Sequence, residues 1–168
     1  NNRASIPSIL TVGAVHSHLV KHGLRGYCSL NVECSDALDT HSFAVLIGVG
    51  ATTVNPYLSI DSIYQRFEKK LFGKSDFESC IIKFKKSIDA GLLKIMSKMG
   101  ISVISSYRGG CNFEAVGLSR AIVSDYFPGM SSRISGIGVI GIEKKIKELH
   151  TKFNAKNVFT LPIGGLYR

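Results

Sequence analysis

The sequence predicts an α/β protein built from βα repeats with parallel strands. Short apolar runs rich in β-branched residues alternate with longer segments whose apolar residues recur at spacings of three and four. The strand-like runs lie roughly 20–45 residues apart, which leaves room for the helical crossovers that join parallel strands. With 168 residues, of which 45% are hydrophobic, the chain can bury the core of about one domain.

Caps and periodicity predict the elements of the N-terminal half. Ser5 or Ser8 can cap a first helix, with Pro7 near its first turn, and Gly23 ends it. The next predicted elements are a strand at residues 27–33, a helix at 36–49, a brief strand at 53–56 and a helix that Asp61 caps and that runs to about Phe67.

A long amphipathic helix opens the C-terminal half and ends at Met99, where Gly100 is placed for a left-handed C-cap. Its apolar stripe consists of Phe77, Ile81, Phe84, Ile88, Leu92, Ile95 and Met99. The elements predicted after it are a buried strand at 101–106, a turn at 108–110, a short helix at 112–116, a helix at 120–126, a strand or loop at 131–138, a helix at 142–153 and a loop at 161–168.

Three or four strands are too few to complete a doubly wound sheet or a barrel, and a parallel sheet needs both faces covered. We therefore expect an incomplete, barrel-like architecture that is a fragment of a larger domain. The chain begins at Asn1 rather than at a methionine, which agrees with this expectation.

The net charge of +9 raises the question of a nucleic-acid or membrane partner. The densest group of lysines falls in or beside the long amphipathic helix and comprises Lys69, Lys70, Lys74, Lys83, Lys85 and Lys86. Because no aromatic residues are interleaved to stack on bases, we interpret this group as a solvated helix face and predict no nucleic-acid partner. No apolar run reaches the roughly 18 residues of a membrane span, so we predict no membrane partner either.

The four cysteines, Cys28, Cys34, Cys80 and Cys111, are scattered and form no CxxC pair. We expect free thiols in a reducing, cytoplasmic compartment. Cys111 lies near a predicted helix start, where a thiol pKa can be lowered, but no base can be named beside it.

The best site candidate from the residues alone is Arg108-Gly109-Gly110, at the carboxyl end of a predicted parallel strand, where α/β proteins often place ligands. Tyr107 and Glu114 are close to it in sequence. The alternative is a tight turn in which the glycines supply backbone freedom and Arg108 pairs with an acid, for which Glu114 is a candidate.

The histidines give weaker signals. His18 and His22 share a helix face, whereas His16 points elsewhere, and no third metal ligand can be identified. We interpret all three as part of a polar helix flank, and His41 as a structural histidine.

Two glycine groups suggest phosphate loops. Gly48-Val49-Gly50 falls at a helix end, which is the wrong polarity for phosphate. Gly136, Gly138 and Gly141 match GxGxxG formally, but we expect no clean strand before them. The residues therefore predict no catalytic, cofactor-binding or metal-binding residue in the chain.

Several stretches, in order over nearly the whole chain, resemble motifs of the large subunit of glutamate synthase. They are residues 5–10 and 14–19 (IPSLL…AVHHHL in the family), 33–50 (VVE…VHHFALLLGYGA), 54–58 (AVNPYLA), 91–100 (GLLKIMSKMG), 106–118 (SYRGAQIFEAIGL) and 126–138 (YFTGTPSRIGGIGL).

The resemblance implies that residues 1–153 form the C-terminal part of that family's central domain, an α/β domain with barrel-like ancestry. Residues 154–168 would form a connector toward the flavin-binding domain. Such enzymes make two glutamates from glutamine and 2-oxoglutarate, using reduced flavin and an iron–sulfur cluster. Ammonia travels inside the protein from the amidotransferase domain to the flavin domain.

The implied role is a scaffold and ammonia-conduit segment of an oxidoreductase. FMN and the iron–sulfur cluster are implied for the full-length enzyme, with no cofactor in this segment. The implied partners are the amidotransferase and FMN domains of the same chain and a small reductase subunit. Two alternatives stay open: an independent phosphate- or nucleotide-binding α/β enzyme, and a basic binding module.

Overall fold

A computed structural model describes residues 4–154 and has the predicted mixed α/β character. The N-terminal half contains α1 (Ser8–Lys21), a 3-10 turn (Arg25–Tyr27), β1 (Asn31–Glu33), α2 (Thr40–Gly48), β2 (Thr53–Asn55) and α3 (Tyr57–Glu68). The C-terminal half contains α4 (Phe77–Met99), α5 (Ile104–Tyr107), β3 (Glu114–Leu118), α6 (Arg120–Tyr126), β4 (Ser131–Ile137) and α7 (Val139–Asn154).

The strands form two separate parallel pairs. β1 pairs with β2, with Val32 opposite Val54, and β3 pairs with β4, with Val116 opposite Ile134. Each pair is joined by a helix, α2 in the first case and α6 in the second, as parallel pairing requires. Within residues 4–154 the strands close no barrel, which agrees with the predicted incomplete architecture.

The main core lies where α1, α2, α4 and α6 meet. Its buried members are Val12, Cys34, Ala37, Phe43, Leu46, Val49, Ala51, Ile88, Ala115, Ile122, Val123 and Phe127. A second, smaller cluster joins α2 to the end of α4 and to α5, and consists of Ala44, Met96 and Tyr107. Helices α2 and α4 contribute to both clusters.

The long helix is confirmed at both ends. α4 runs from Phe77 to Met99, and Gly100 adopts the left-handed conformation with φ 72°. Cys80, Ile88 and Met96 are its buried residues. The left-handed conformation ends the helix, and glycine occupies this position because any side chain would be strained at positive φ.

The predicted strand at residues 101–106 is wrong. The chain instead forms the single helical turn α5, and Val103 and Ile104 remain 52% and 40% exposed. In the described part of the chain the apolar run has no strand beside it to pair with. The buried residue of α5 is Tyr107, which is 1% exposed.

The helix predicted at residues 112–116 is also wrong, because Glu114–Leu118 is the strand β3. Glu114 and Val116, which fall within the predicted helix, pair with Ser131 and Ile134 of β4. The strand alternative for residues 131–138 is confirmed by β4.

Several predicted boundaries were also wrong. The strand predicted at 27–33 is shortened to Asn31–Glu33 by the 3-10 turn before it. Asp39 caps α2, because its carboxylate accepts from Ser42 N at 2.9 Å, so α2 starts at Thr40. Helices α3 and α7 begin earlier than predicted, at Tyr57 and Val139. The predicted loop at 161–168 lies outside the described residues.

Among the described helices, none is both long enough and apolar enough to cross a bilayer.

The β3–β4 pair depends on a close approach between two glycine backbones. A Cβ on Gly136 would overlap the backbone carbonyl of Gly117. We therefore predict that Gly136→Ala lowers the free energy of unfolding by about 1–3 kcal/mol, because strand backbone must move to admit the methyl group. Urea unfolding followed by circular dichroism measures the change.

Gly138→Ala is the matched control, since its Cβ meets only Ser119 Oγ, at the ordinary distance of 3.8 Å. We expect it to change stability by no more than about 0.5 kcal/mol. Equal losses in the two variants would show that the approach of Gly136 to Gly117 does not limit the pairing.

Candidate functional site

The Arg108–Gly110 turn lies over the C-terminal end of α2 rather than at the end of a strand. Gly109 N donates to Ile47 O at 3.1 Å, and Cys111 N donates to Gly48 O at 3.1 Å. The last carbonyls of a helix have no partner within it. The turn supplies the donor for Gly48 O and a second donor for Ile47 O, which also accepts from Gly50 N at 3.0 Å, so it caps α2 from a distant part of the chain. We call this contact, formed by Ile47, Gly48, Gly109 and Cys111, the α2–turn junction.

Tyr107 anchors the turn beneath the junction. Its hydroxyl donates to Ala44 O at 3.0 Å, and both residues are buried. Its ring meets Phe113 edge-on, with the ring centroids 6.3 Å apart. Burial raises the pKa of Tyr107, so its hydroxyl stays a neutral donor near neutral pH. Phe113 in turn packs against Gly48 so closely that a Cβ there would overlap its ring.

His16 of α1 packs against the junction. A Cβ on Gly50 would overlap its imidazole, and one on Gly109 would lie 3.2 Å from Cε1. Both glycines have positive φ, 127° and 71°, so side chains are excluded there for two reasons. His16 thus contacts the end of α2 and the turn at once.

Arg25 holds the imidazole in place. Its Nε donates to His16 Nδ1 at 3.1 Å, and its Nη2 donates to Gly50 O at 2.9 Å. Because a guanidinium only donates, Nδ1 must be unprotonated. Burial and then the positive charge of Arg25 lower the pKa of His16, so the neutral ring is favoured. Arg25 could not be identified from the sequence, because it opens a short 3-10 turn and belongs to no motif.

Arg108 does not have the predicted partner. Glu114 pairs instead with Arg133, with Arg133 Nε and Glu114 Oε1 3.6 Å apart and both side chains exposed. Arg108 is half-buried, and its Nε is shielded from solvent without a hydrogen-bond partner in the described part of the chain. The prediction of a tight turn is supported by the geometry, whereas the Glu114 pairing is wrong.

Cys111 also departs from expectation. Burial raises the pKa of its thiol, which opposes the lowering expected at a helix start. The residue precedes a strand rather than a helix, and its φ is 48°. A neutral thiol at a strained backbone position is a poor nucleophile.

Of the other predicted histidines, two are in contact and one stands alone. The rings of His18 and His22 meet at a tilt of 49°, with their centroids 4.4 Å apart on exposed residues, and His41 is exposed. All four cysteines are free thiols, with Cys34 and Cys80 buried and Cys28 exposed. Among the described residues, no three histidine, cysteine or acidic side chains come together, so this donor set does not fit an iron–sulfur cluster or a zinc ion.

The two glycine groups have packing explanations. Gly48-Val49-Gly50 ends α2, as predicted. A strand does precede Gly138, and α7 follows it, so the expectation of no clean strand is wrong. Gly136 is required by the backbone of Gly117, however, and a Cβ on Gly141 would lie 2.9 Å from Ile137 Cβ.

A cavity of about 700 Å³ lies between the start of α1, β1 and α7. Asp36 lines it, and its carboxylate accepts from Ser8 N at 3.1 Å and from Ser8 Oγ at 2.7 Å. Burial alone would raise the pKa of Asp36, but these hydrogen bonds lower it. The carboxylate therefore stays ionised and caps α1 across the fold.

The chain is similar to known proteins over nearly its whole length. A family model described as the glutamate synthase central domain matches residues 1–119. Over 99% of its length the chain is 60% identical to the glutamate synthase [NADPH] large chain of Azospirillum brasilense, of which it covers 11%. Over 86% of its length it is 43% identical to the corresponding large chain of Bacillus subtilis, of which it covers 10%.

A third relative, the glutamate synthase [NADH] of Saccharomyces cerevisiae, is 35% identical over 90% of the chain. The chain therefore spans about a tenth of the length of these curated relatives.

The geometry around His16 predicts a dependence of stability on pH. Because folding lowers the pKa of His16, the unfolded chain takes up a proton at higher pH than the folded protein does. The stabilising contribution is fully present above the unfolded pKa of 6.5 and declines as the pH falls through it toward the folded pKa. Urea unfolding at about pH 7.5 and about pH 5.5 measures the loss.

His16→Asn provides the comparison, because its Oδ1 can replace Nδ1 as the acceptor for Arg25 without titrating. We expect a smaller loss of stability between the two pH values in this variant than in the original protein. The same loss in both proteins would show that His16 does not contribute to the pH dependence.

Proposed function

The chain belongs to the glutamate synthase central-domain family, and on that premise we propose that it is a scaffold and ammonia-conduit segment of a glutamate synthase. The observation that carries the proposal is the family match over residues 1–119 together with 60% identity over nearly the whole chain. The larger protein would make two glutamates from glutamine and 2-oxoglutarate, using electrons from reduced flavin.

A scaffold role agrees with how the polar groups of the junction are used. Arg25, His16 and Tyr107 donate to or accept from protein atoms, and the Ile47 and Gly48 carbonyls are occupied by the turn. Groups committed to such contacts hold backbone in place rather than meet a substrate. We propose accordingly that the chain supplies no catalytic, cofactor-binding or metal-binding residue.

A conduit role has support from an apolar space between α2, β3 and α6. This cavity has a volume of about 420 Å³, and most of its lining is apolar, including Val45, Phe113 and Ile122, with His41 and Glu114 as its ionisable residues. Such walls tolerate neutral ammonia but disfavour ammonium, because an unpaired charge is costly to bury.

We propose the following domain assignment. Residues 1–153 would be the C-terminal part of the central domain and residues 154–168 the connector toward the FMN-binding domain. The amidotransferase and FMN domains of the same polypeptide would be its partners. The FMN and the iron–sulfur cluster would be bound in those other parts, which agrees with the dispersed described cysteines.

A small reductase subunit would be a further partner, supported by the name "large chain" of the Azospirillum brasilense relative. We propose a cytoplasmic location, supported by the four free thiols. The alternative of an independent phosphate-binding enzyme has less support, because Gly136 and Gly141 are explained by backbone packing.

Purification of the larger protein tests the proposal. We expect glutamate to form from glutamine and 2-oxoglutarate when a reduced electron donor is supplied. A purified protein that binds FMN and hydrolyses glutamine, yet makes no glutamate with reduced pyridine nucleotide or ferredoxin, would contradict the proposed function.

Arg108, in the turn of the junction, gives a second prediction for the larger protein. We expect Arg108→Ala to loosen the coupling of the two active sites, so that glutamine hydrolysis runs ahead of glutamate synthesis while both half-reactions survive. The physical reason is that Arg108 is a half-buried residue of the turn that caps α2, so truncating its side chain should loosen the packing of that turn. The measurement is the ratio of glutamine consumed to 2-oxoglutarate consumed.

Lys86→Ala, on the exposed face of α4, is the control and should leave that ratio unchanged. If Arg108→Ala abolished one half-reaction in a stably folded protein, Arg108 would be catalytic and the scaffold interpretation would be wrong.

A further inference from the structure

The β3–β4 pair has one apolar face with nothing packed on it in the described part of the chain. Val116 and Ile134 stand directly opposite each other in the parallel register, and they are 64% and 62% exposed. Ala115, the residue before Val116, points the other way and is 7% exposed. It belongs to the main core, with Ile122 of α6. The pair is therefore buried on one face only.

β4 is poorly covered for a parallel strand. Five of its seven residues are exposed, and among residues 4–154 it pairs with β3 alone. Parallel sheets occur almost only with both faces covered, because crossover connections place a layer on each side. Two strands with an open face are marginal in water. The observed pair thus has the form of an incomplete sheet.

We propose that Val116 and Ile134 form a docking surface for an apolar segment of the same polypeptide outside residues 1–168. This inference rests on the proposed function, which makes the chain one part of a longer protein. The curated relatives are roughly nine times longer or more, since the chain covers 11% or less of those named above, so ample chain is present to cover the face. We call Val116 and Ile134 the β3–β4 docking surface.

The charges around this surface favour an apolar occupant. Glu114 of β3 and Arg133 of β4 flank this surface and pair with each other, at 3.6 Å between Arg133 Nε and Glu114 Oε1. The charges of Glu114 and Arg133 are therefore paired within the chain, so a charged partner would gain little affinity from contact with them. The exposed face of α4 differs, because Ile82 and Leu93 stand among lysines there and suit contact with water.

Thiol labelling in the full-length protein tests the docking surface. Ile134→Cys is treated with a maleimide under native conditions, and the labelling rate is read by mass spectrometry of the peptide. Native Cys34, at 3% exposure, is the buried reference, and Lys86→Cys is the exposed reference. We expect Ile134→Cys to react at least about tenfold more slowly than Lys86→Cys, and all sites to react quickly in denaturant.

Photocrosslinking identifies the occupant. Val116→benzoylphenylalanine in the full-length protein should crosslink to a peptide of the same polypeptide outside residues 1–168. Labelling of Ile134→Cys as fast as Lys86→Cys would overturn the proposal. So would a crosslink between two copies, or protection that falls on dilution, since the occupant would then be a second copy.

Failure of the docking surface is distinguishable from failure of the proposed function. An active glutamate synthase in which Ile134→Cys labels quickly would refute the docking surface alone. A protein without that activity, in which Ile134→Cys is protected by its own polypeptide, would refute the function and leave the docking surface intact.

Discussion

The C-terminal carbonyls of α2 impose the constraint on which the rest of the described structure depends. A helix that ends inside a protein must find donors for its last carbonyls, since water is excluded from them. α2 ends at Gly48, which is buried and whose carbonyl accepts from Cys111 N, while Ile47 O accepts from Gly109 N in addition to Gly50 N. A turn far along the chain is thereby fixed against the first βα unit. The two halves of the fold are joined through backbone hydrogen bonds as well as through apolar contact.

The surroundings of the junction follow from this requirement. Backbones can approach closely only where side chains are absent, which explains the glycines at positions 48, 50 and 109. The space they leave is filled by two rings, Phe113 against Gly48 and His16 against Gly50 and Gly109. The backbone hydrogen bonds and the packed rings hold the turn against α2. The scaffold role proposed for the chain within a glutamate synthase agrees with it.

Some of this could be predicted from the sequence. The apolar stripe of α4 and the glycine after it identified the longest helix, because both are local signals that tertiary contacts reinforce. The strand predicted at 101–106 failed because short apolar runs have the same pattern in a strand, a buried turn or an exposed loop. Only the pairing of Glu114–Leu118 with Ser131–Ile137, a non-local contact, decides which run is the strand.

Only part of the candidate site could be predicted from the sequence, because its geometry also depends on contacts between distant segments. Arg108-Gly109-Gly110 could be recognised as a turn from its glycines, but its position over α2 depends on contacts between distant segments. Arg25 gave no signal, because its hydrogen bonds to His16 and Gly50 join three segments whose proximity no local pattern encodes. Glu114 was near Arg108 in sequence, yet strand pairing brings it to Arg133 instead. The resemblance to a family, by contrast, used the order of many motifs and did not depend on knowing the fold.

Native-state hydrogen exchange at the junction tests the central claim most directly. If the turn caps α2, the amides of Gly109 and Cys111 exchange only when the α2 amides do, because opening one requires opening the other. We predict matching protection at these two amides and at the last turn of α2 in the full-length protein. Rapid exchange at Gly109 and Cys111 beside a protected α2 would contradict the account, since the turn would then lie near the helix without holding it.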